Sequence, residues 1–142
     1  MGARIVLLAL LTIAAVAAWR AYGHVVRRRL RRLAPGDALL AGVRRGQAAV
    51  VYFSTPQCAP CRTQQAPALR RLAAEAADAV AIIEVDAVAC PEVAARWYVL
   101  TAPTTVVLDG RRRPRHVNRG VATYAVLRAQ LDGVLAAARP GG

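Results

Sequence analysis

The sequence contains no lysine and few acidic residues, so its charge is strongly one-sided. All 20 basic residues are arginine, only 8 residues are Asp or Glu, and the formal net charge is +12. Residues 1–45 hold nine arginines and one aspartate, whereas residues 46–142 hold eleven arginines and seven acids. The excess charge therefore belongs mainly to the N-terminal part. Aromatic residues make up only 5%, and no basic surface with stacking aromatics is evident, so we predict no binding to nucleic acid.

The sequence is also poor in cysteine, which limits the disulfides and metal sites that it can form. Three cysteines are too few for a disulfide scaffold. Cys58 and Cys61 have the C-x-x-C spacing of a redox pair or of half a zinc site. A structural zinc needs four ligands, and Cys90, His24 and His116 are dispersed in the chain. We therefore predict no metal and favour a redox pair, with half of a zinc site or unreactive core thiols as alternatives.

A long uncharged apolar run is present near the N-terminus. Hydrophobic residues make up 56% of the chain, above the roughly 45–50% of soluble proteins, and no charge interrupts residues 5–19. Counting on to residue 26 gives 22 residues, about 33 Å as a helix, which is enough to cross the hydrocarbon layer. We predict a transmembrane anchor over residues 1–26. The alternative is a cleaved signal peptide with a small-x-small site at residues 15–17.

Five arginines follow the apolar run, within residues 27–32. We predict an arginine-rich juxtamembrane linker at residues 27–36, followed by a folded domain at 37–139. Loops rich in arginine stay on the cytoplasmic side of a membrane, and Arg4 alone competes from the other end. We therefore predict a single-pass protein of the cell membrane with its folded domain in the cytoplasm. An extracytoplasmic domain is the alternative.

The pattern of residues 37–139 predicts one α/β domain with a mixed sheet. Asp37 is placed to cap a short helix and Gly46 to end it. Trp97 is predicted to pack in the core. Apolar runs predict strands, apolar stripes predict helices, and basic residues on the fourth strand indicate a sheet edge. The predicted strands are residues 48–53, 80–85, 104–108 and 115–118, and the predicted helices are residues 38–45, 60–77, 92–98 and 123–138.

The closely spaced cysteines lie where the first predicted strand gives way to a helix. A cysteine at the first turn of a helix faces unpaired backbone N–H groups and the positive end of the helix dipole. Both lower the pKa of a thiol and raise its reactivity. We therefore predict that Cys58 is a nucleophile and that Cys61 is its partner.

The chain resembles the thioredoxin family over about residues 38–138. The resemblance implies an α/β thioredoxin fold, in which helices flank a central mixed sheet, here with an N-terminal transmembrane helix. Three features carry it: Cys58-Ala59-Pro60-Cys61 after a strand, Val85-Asp86 at a strand end before a short helix, and Ala102-Pro103-Thr104 before a β-hairpin.

The resemblance also implies roles for the residues around the cysteine pair. In the family the later proline is cis and lies against the cysteines, which is the role implied for Pro103. The backbone of the preceding residue, Ala102 here, pairs with the extended chain of the substrate. Ala59, Pro60 and Thr104 are the remaining candidate supporting positions.

The function implied by the resemblance is that of a membrane-anchored thiol–disulfide oxidoreductase. The Cys58 thiolate attacks a substrate disulfide to form a mixed disulfide, and Cys61 then attacks Cys58 and releases the reduced substrate. The Cys58–Cys61 disulfide is itself the redox group, so we expect no cofactor. The expected partners are protein thiols and disulfides and a further redox partner. The N-terminal helix is expected to contact the membrane. We expect a monomer.

Several positions depart from the family pattern, which indicates a divergent, membrane-anchored member of bacterial type. Gln57 stands where tryptophan usually precedes the first cysteine. Tyr52 stands where the family has a buried acid that helps to deprotonate the second cysteine. Pro67 falls six residues after Cys61, where five is usual. These departures leave a second hypothesis, a non-catalytic thioredoxin-fold interaction domain tethered to the membrane.

Cys90 is a candidate regulatory thiol. It follows a strand that should run parallel to the strand before Cys58, so its loop is expected at the same sheet edge as the motif. Some thioredoxins have an extra cysteine in this loop that is used for regulation. The alternative is a small apolar side chain beside Pro91. His24 and His116 have no partner at catalytic spacing and are assigned no role.

Overall fold

The computed structural model describes residues 2–138 and contains four α-helices and four strands within them. The helices are α1 (Gly2–Leu33), α2 (Ala66–Ala76), α3 (Pro91–Arg96) and α4 (Tyr124–Ala138). The strands are β1 (Ala48–Ser54), β2 (Val80–Asp86), β3 (Thr104–Leu108) and β4 (Pro114–Arg119). All four predicted strands are confirmed, as is their order with the helices that follow them. Met1 and Arg139, which the predicted boundaries include, lie outside the described residues.

Helix α1 continues through most of the segment where the sequence led us to expect a linker. It is the one helix among the described residues that is long and apolar enough to span a membrane, and its apolar N-terminal part is exposed. Further along, Val26 and Leu30 are four residues apart, so they share a face of the helix. Both are buried in the core of the domain. Residues 27–33 are thus helical and packed on the domain, with the arginines on the outer faces.

The first helix predicted inside the domain is shorter than expected. Only a 3₁₀ turn, Ala38–Leu40, forms where the sequence predicts a helix over residues 38–45. Asp37 caps it as predicted, because its carboxylate accepts the Leu39 N–H at 2.9 Å. Gly42 weakens helix propensity in the middle of the segment, and so short a segment gains too few hydrogen bonds to offset helix nucleation.

The sheet is mixed, with the strand order β2-β1-β3-β4. Strands β1 and β2 are parallel, whereas β3 is antiparallel to both β1 and β4. The parallel register places Ser54 beside Asp86, so both strands end at the same edge of the sheet. Strand β4 lies at the opposite side of the sheet, which confirms the edge position predicted from its basic residues.

Alternate side chains of β1 face two separate apolar clusters. Val51 and Phe53 pack with residues of α1 and α3, whereas Val50 and Tyr52 pack with residues of α2 and α4. Trp97 is 1% exposed, and its ring centroid lies 6.0 Å from that of Phe53, which confirms the predicted core packing. Helices therefore cover both faces of the sheet, and the ends of β1 and β2 are left open for the cysteine loop.

A buried carboxylate connects the end of α1 to α3. Asp37 accepts hydrogen bonds from Arg96 Nε at 2.9 Å and from Trp97 Nε1 at 3.1 Å, in addition to the Leu39 N–H. Burial alone would raise the pKa of Asp37. The hydrogen bonds from Arg96, Leu39 and Trp97 and the charge of Arg96 outweigh burial, so the pKa is lowered and the carboxylate stays ionised.

Candidate functional site

The cysteine loop leads from β1 into a distorted helix start. The Cys58 N–H donates to the carbonyl of Thr55 at 3.1 Å, and Arg62 Nη1 donates to the carbonyl of Pro56, so the loop is held from both ends. A π-helical turn, Cys61–Gln65, precedes α2. Pro67 follows this turn in the first positions of α2. Because proline has no N–H, it cannot continue the α-helical ladder, and the widened turn lies where that ladder is interrupted.

Cys58 and Cys61 form a disulfide, with their Cα atoms 5.2 Å apart. Their surroundings differ, because Cys61 is 2% exposed whereas Cys58 is only partly buried. The backbone N–H of Cys61 donates to Cys58 Sγ at 3.2 Å. A backbone N–H in this position is the kind of donor that stabilises a thiolate. The geometry therefore offers one accessible sulfur that can react with a partner and one enclosed sulfur behind it.

The Ala102–Pro103 peptide bond is cis, as the family resemblance implies. Thr104 begins β3 and pairs with Phe53 near the end of β1, which places the cis peptide beside the cysteine loop. Thr104 Oγ1 donates to the carbonyl of Thr101 at 2.7 Å, and the Gly120 N–H donates to the carbonyl of Pro103 at 2.8 Å. Ala102 and Cys58 pack against the same apolar cluster.

A shallow, mainly apolar cavity of about 250 Å³ borders Ala102. It extends from Thr55 in the cysteine loop to Pro91 at the start of α3 and to Leu100 before the cis peptide. The side chain of Leu100 is 66% exposed. An exposed apolar side chain at the rim of an apolar cavity provides a surface on which another polypeptide can pack.

Tyr52 lies under the buried cysteine, at the position where the family pattern has an acid. Its hydroxyl donates to the carbonyl of Cys61 at 3.2 Å. Burial and the charge of Glu84 raise the pKa of Tyr52, and a hydrogen bond with Ser54 opposes them only in part. The hydroxyl is therefore protonated at neutral pH and acts as a donor rather than as a base.

Glu84 is a site residue that sequence reasoning missed. It lies opposite Tyr52 in the register of β1 and β2, and its carboxylate accepts the Ser54 hydroxyl at 3.0 Å. Tyr52 and Glu84 line a cavity of about 540 Å³ that also borders Cys61. Only the pairing of two strands 30 residues apart brings this carboxylate to the cavity, so the strand register is the signal that identifies it.

Cys90 lies directly before α3 at the end of the loop that follows β2. The Ala87 N–H donates to the carbonyl of Ser54 at 2.9 Å, so this loop is joined to the end of β1 at the sheet edge of the motif. The Cys90 thiol is free and partly buried, and it packs against the apolar cluster that contains Phe53 and Trp97. Its regulatory role stays a prediction. Among residues 2–138, no group of three or more His, Cys, Asp or Glu is placed to hold a metal.

Comparison with known proteins agrees with this arrangement. Residues 39–132 match the family model described as Thioredoxin. The chain belongs to the thioredoxin family. The thioredoxin fold expected from the sequence is thereby confirmed. In this fold the Cys58–Cys61 pair supports thiol–disulfide redox chemistry.

Individual relatives show how far this member has diverged. Thioredoxin X, chloroplastic, of Arabidopsis thaliana is 31% identical over 90 residues, a match that covers 63% of this chain and 49% of that protein. The chain thus spans about half the length of this curated relative. Fasciola hepatica thioredoxin is 30% identical with a TM-score of 0.56, over 63% of this chain and 83% of that one. Chloroplastic thioredoxin z shares the fold at 21% identity, with a TM-score of 0.60 over 68% and 86% of the two chains.

Proposed function

We propose that this thioredoxin-family protein is a membrane-anchored thiol–disulfide oxidoreductase that exchanges disulfides with protein substrates. The observation that carries the proposal is the asymmetry of the pair. The partly accessible Cys58 Sγ accepts the Cys61 N–H at 3.2 Å, while Cys61 is enclosed behind it. The accessible sulfur suits attack on a substrate, and the enclosed sulfur suits resolution of the mixed disulfide.

The exchange transfers two electrons from the cysteine pair to the substrate disulfide and needs no other redox group in the protein. In the reduced protein, the Cys58 thiolate attacks one sulfur of a substrate disulfide, and the other substrate sulfur leaves as a thiolate that takes up a proton. Cys61 then loses its proton and attacks Cys58 Sγ, which breaks the mixed disulfide and releases the second substrate thiol. The protein ends as the Cys58–Cys61 disulfide. The reverse sequence oxidises a substrate dithiol, so the redox partner sets the direction.

The surroundings of the pair favour a polypeptide substrate. Ala59 and Pro60 hold the two sulfurs at the start of the helix, and the cis peptide before Thr104 presents the backbone of Ala102 beside them. The apolar cavity next to Ala102, with the exposed Leu100 at its rim, can receive side chains of the same substrate.

The exposed apolar part of α1 supports the anchor. Its 18-residue apolar window has no buried residue, and burying such a surface in lipid is strongly favourable. The arginines that follow favour retention of the folded domain in the cytoplasm. Labelling of Cys90 with a membrane-impermeant thiol reagent in intact cells tests on which side of the membrane the folded domain lies. We expect no labelling until the membrane is opened. Labelling in intact cells would place the domain outside the cytoplasm.

The catalytic proposal is tested by insulin reduction with the full-length chain in detergent micelles. Cys58→Ser is expected to abolish turnover, and Cys61→Ser is expected to accumulate a mixed disulfide with the substrate because the resolving thiol is missing. Cys90→Ser is the matched control and should keep wild-type activity. Unchanged turnover in Cys58→Ser would refute the proposal.

The second candidate is a non-catalytic interaction domain with the same fold. Two substitutions favour it, Gln57 in place of the usual tryptophan and Tyr52 in place of the usual acid. The pKa of the Cys58 thiol separates the candidates, because a reactive thiolate requires a lowered value. A measured value close to the ordinary one of about 8.5 would favour the interaction domain.

A further inference from the structure

A small polar cavity lies between α1 and the edge strand β4, away from the cysteine pair. Its volume is about 170 Å³. Arg27 lines it from α1, and Arg115, His116 and Arg119 line it from β4. Gly23 forms part of the α1 wall and has open space where a side chain would lie. None of these residues takes part in the proposed disulfide exchange.

The cavity exists because α1 packs on the domain. Val26, on the α1 wall, is buried in the core. One turn earlier, the ring of Tyr22 lies 5.7 Å from the guanidinium of Arg119, so a cation–π contact joins α1 to β4. The helix and the strand are thus held together by an apolar contact and by a cation–π contact next to the cavity.

The charge of the cavity is positive and largely uncompensated. Three arginines line it, and no carboxylate is among the described residues that do so. Arg115 also forms an ion pair with Asp109 at a long 3.9 Å, but Asp109 does not line the cavity. Burial, together with the charges of Arg115 and Arg27, lowers the pKa of His116, as expected where positive charge is concentrated.

The polar amides at the cavity are already occupied by each other. Asn118 and Gln130 exchange two hydrogen bonds, of 2.9 and 2.8 Å. The groups left to bind a ligand are therefore the three guanidinium groups and the His116 imidazole. Guanidinium binds pairs of phosphate oxygens through parallel N–H donors, so an arginine-lined cavity of this kind suits a phosphate.

The position of the cavity along α1 matches the level of lipid headgroups. Gly23 and Arg27 follow Trp19 by four and eight residues, about 6 and 12 Å along the helix axis. The polar layer on each side of the hydrocarbon core is roughly 5–8 Å thick. With the apolar run in the hydrocarbon and Trp19 at its end, Gly23 lies at the level of the phospholipid phosphates. Arg27 lies just beyond this layer, and its long side chain can reach back to a phosphate.

We propose that the cavity formed by Arg27, Arg115 and Arg119 binds the phosphate of an anionic phospholipid headgroup. The proposal rests on the membrane anchor proposed above. Occupation of the cavity by a lipid joins the edge of the sheet to the bilayer surface. It therefore fixes how the folded domain, and with it the cysteine loop, is oriented at the membrane.

The test uses the full-length chain in nanodiscs of equal parts phosphatidylcholine and phosphatidylglycerol, with native mass spectrometry to count the retained lipids. Wild type is expected to retain phosphatidylglycerol preferentially. The Arg27→Gln/Arg115→Gln double variant is expected to lose this preference, by roughly fivefold for each arginine removed near the surface. The control, Arg45→Gln/Arg70→Gln, removes the same charge from exposed positions outside the cavity and should match wild type.

Further arms separate the alternatives. Arg27→Lys/Arg115→Lys keeps the charge and is expected to keep part of the preference, which shows that a loss in the glutamine variant does not come from misfolding. Equal losses in the cavity and control variants, or no preference in wild type, would overturn the proposal. Binding of inorganic phosphate to the cavity in pure phosphatidylcholine nanodiscs, as tightly as phosphatidylglycerol binds, would assign it to a soluble anion. Failure of the anchor itself is recognised separately, because the chain would not enter nanodiscs while insulin reduction persisted.

Discussion

At the scale of single residues, the site combines a partly exposed cysteine with a buried partner that a tyrosine contacts. Cys61 is 2% exposed. The Tyr52 hydroxyl contacts the Cys61 carbonyl rather than removing a proton. The carboxylate of Glu84 lines the same cavity from the neighbouring strand. The surroundings of the second cysteine thus come from two neighbouring strands.

The Tyr52 hydroxyl is expected to contribute to stability. Tyr52→Phe removes the donor to the buried Cys61 carbonyl and should lower the free energy of unfolding by about 1 kcal/mol, measured by urea denaturation. Tyr124→Phe is the control, since it removes a hydroxyl that bonds to Glu75 at the surface, and its effect should be smaller. An equal or larger loss in Tyr124→Phe would contradict this account.

His116 reports the positive charge of the cavity beside α1. Its pKa is lowered by burial first and by Arg115 and Arg27 next. Removing the charge in Arg115→Gln makes the protonated imidazole less unfavourable, so the pKa of His116 should rise. An NMR titration measures the change. Arg70→Gln, outside the cavity, should leave the titration unchanged, and a fall in the pKa in Arg115→Gln would contradict the expected sign.

At the scale of elements, α1 has two halves with different surroundings. The first half is apolar and exposed in the protein. The second half contributes Val26 and Leu30 to the core beside Phe53 and Trp97. The helix continues through the arginine segment with its usual rise of about 1.5 Å per residue. It therefore holds the folded domain at a fixed distance from the apolar run.

The two halves of α1 should therefore respond differently to the same substitution. Leu30→Ala removes a fully buried side chain and should destabilise the domain by about 2–5 kcal/mol. Leu10→Ala, on the exposed half, should leave domain unfolding unchanged. Thermal unfolding of both variants in detergent provides the comparison. Equal melting temperatures would show that α1 is not part of the folded domain.

At the scale of the whole molecule, Asp37 joins parts of the chain that are distant in sequence. Its carboxylate caps the turn after α1 and accepts hydrogen bonds from Arg96, the last residue of α3, and from Trp97, which follows it. Since Trp97 also packs on Phe53 of the central strand, one ionised group connects the end of α1, α3 and the sheet.

The stability of the whole protein should depend on the ionisation of Asp37. Its pKa is lowered in the folded state, so its contribution is present above the unfolded value of about 3.9 and is lost as the pH falls through the folded value. Asp37→Asn should lower the free energy of unfolding by about 1–2 kcal/mol at neutral pH. The loss is this small because Arg96 is partly exposed, so solvent screens its charge. In the same variant, the free energy of unfolding should fall less steeply as the pH is lowered, because the titrating carboxyl is missing.

Urea unfolding across a pH series measures both effects. Asp78→Asn is the matched control, because the Asp78 side chain is 96% exposed and should change neither stability nor its pH dependence. A wild-type protein whose stability rises as the pH falls below about 4 would contradict the assignment.

Local patterns were sufficient to predict most of the fold. Residues 104–108 were predicted as a strand with both ends correct, because a β-branched apolar run between a proline and an Asp-Gly turn has few alternatives. The edge position of β4 followed from its basic residues. The helix over 38–45 was overestimated, since a single well-placed cap does not stabilise a segment this short without tertiary packing.

The sequence by itself determined the order of strands and helices, the cysteine pair at a helix start and a membrane-length apolar run, because each is written in a few neighbouring residues. Only the tertiary structure decided that Leu30 belongs to the core, that Glu84 shares a cavity with Cys61, and that Arg27 and Arg115 line the same cavity. These contacts depend on strand register and helix docking between distant parts of the chain. Local spacing carries no information on that registration, since many packings satisfy the same pattern.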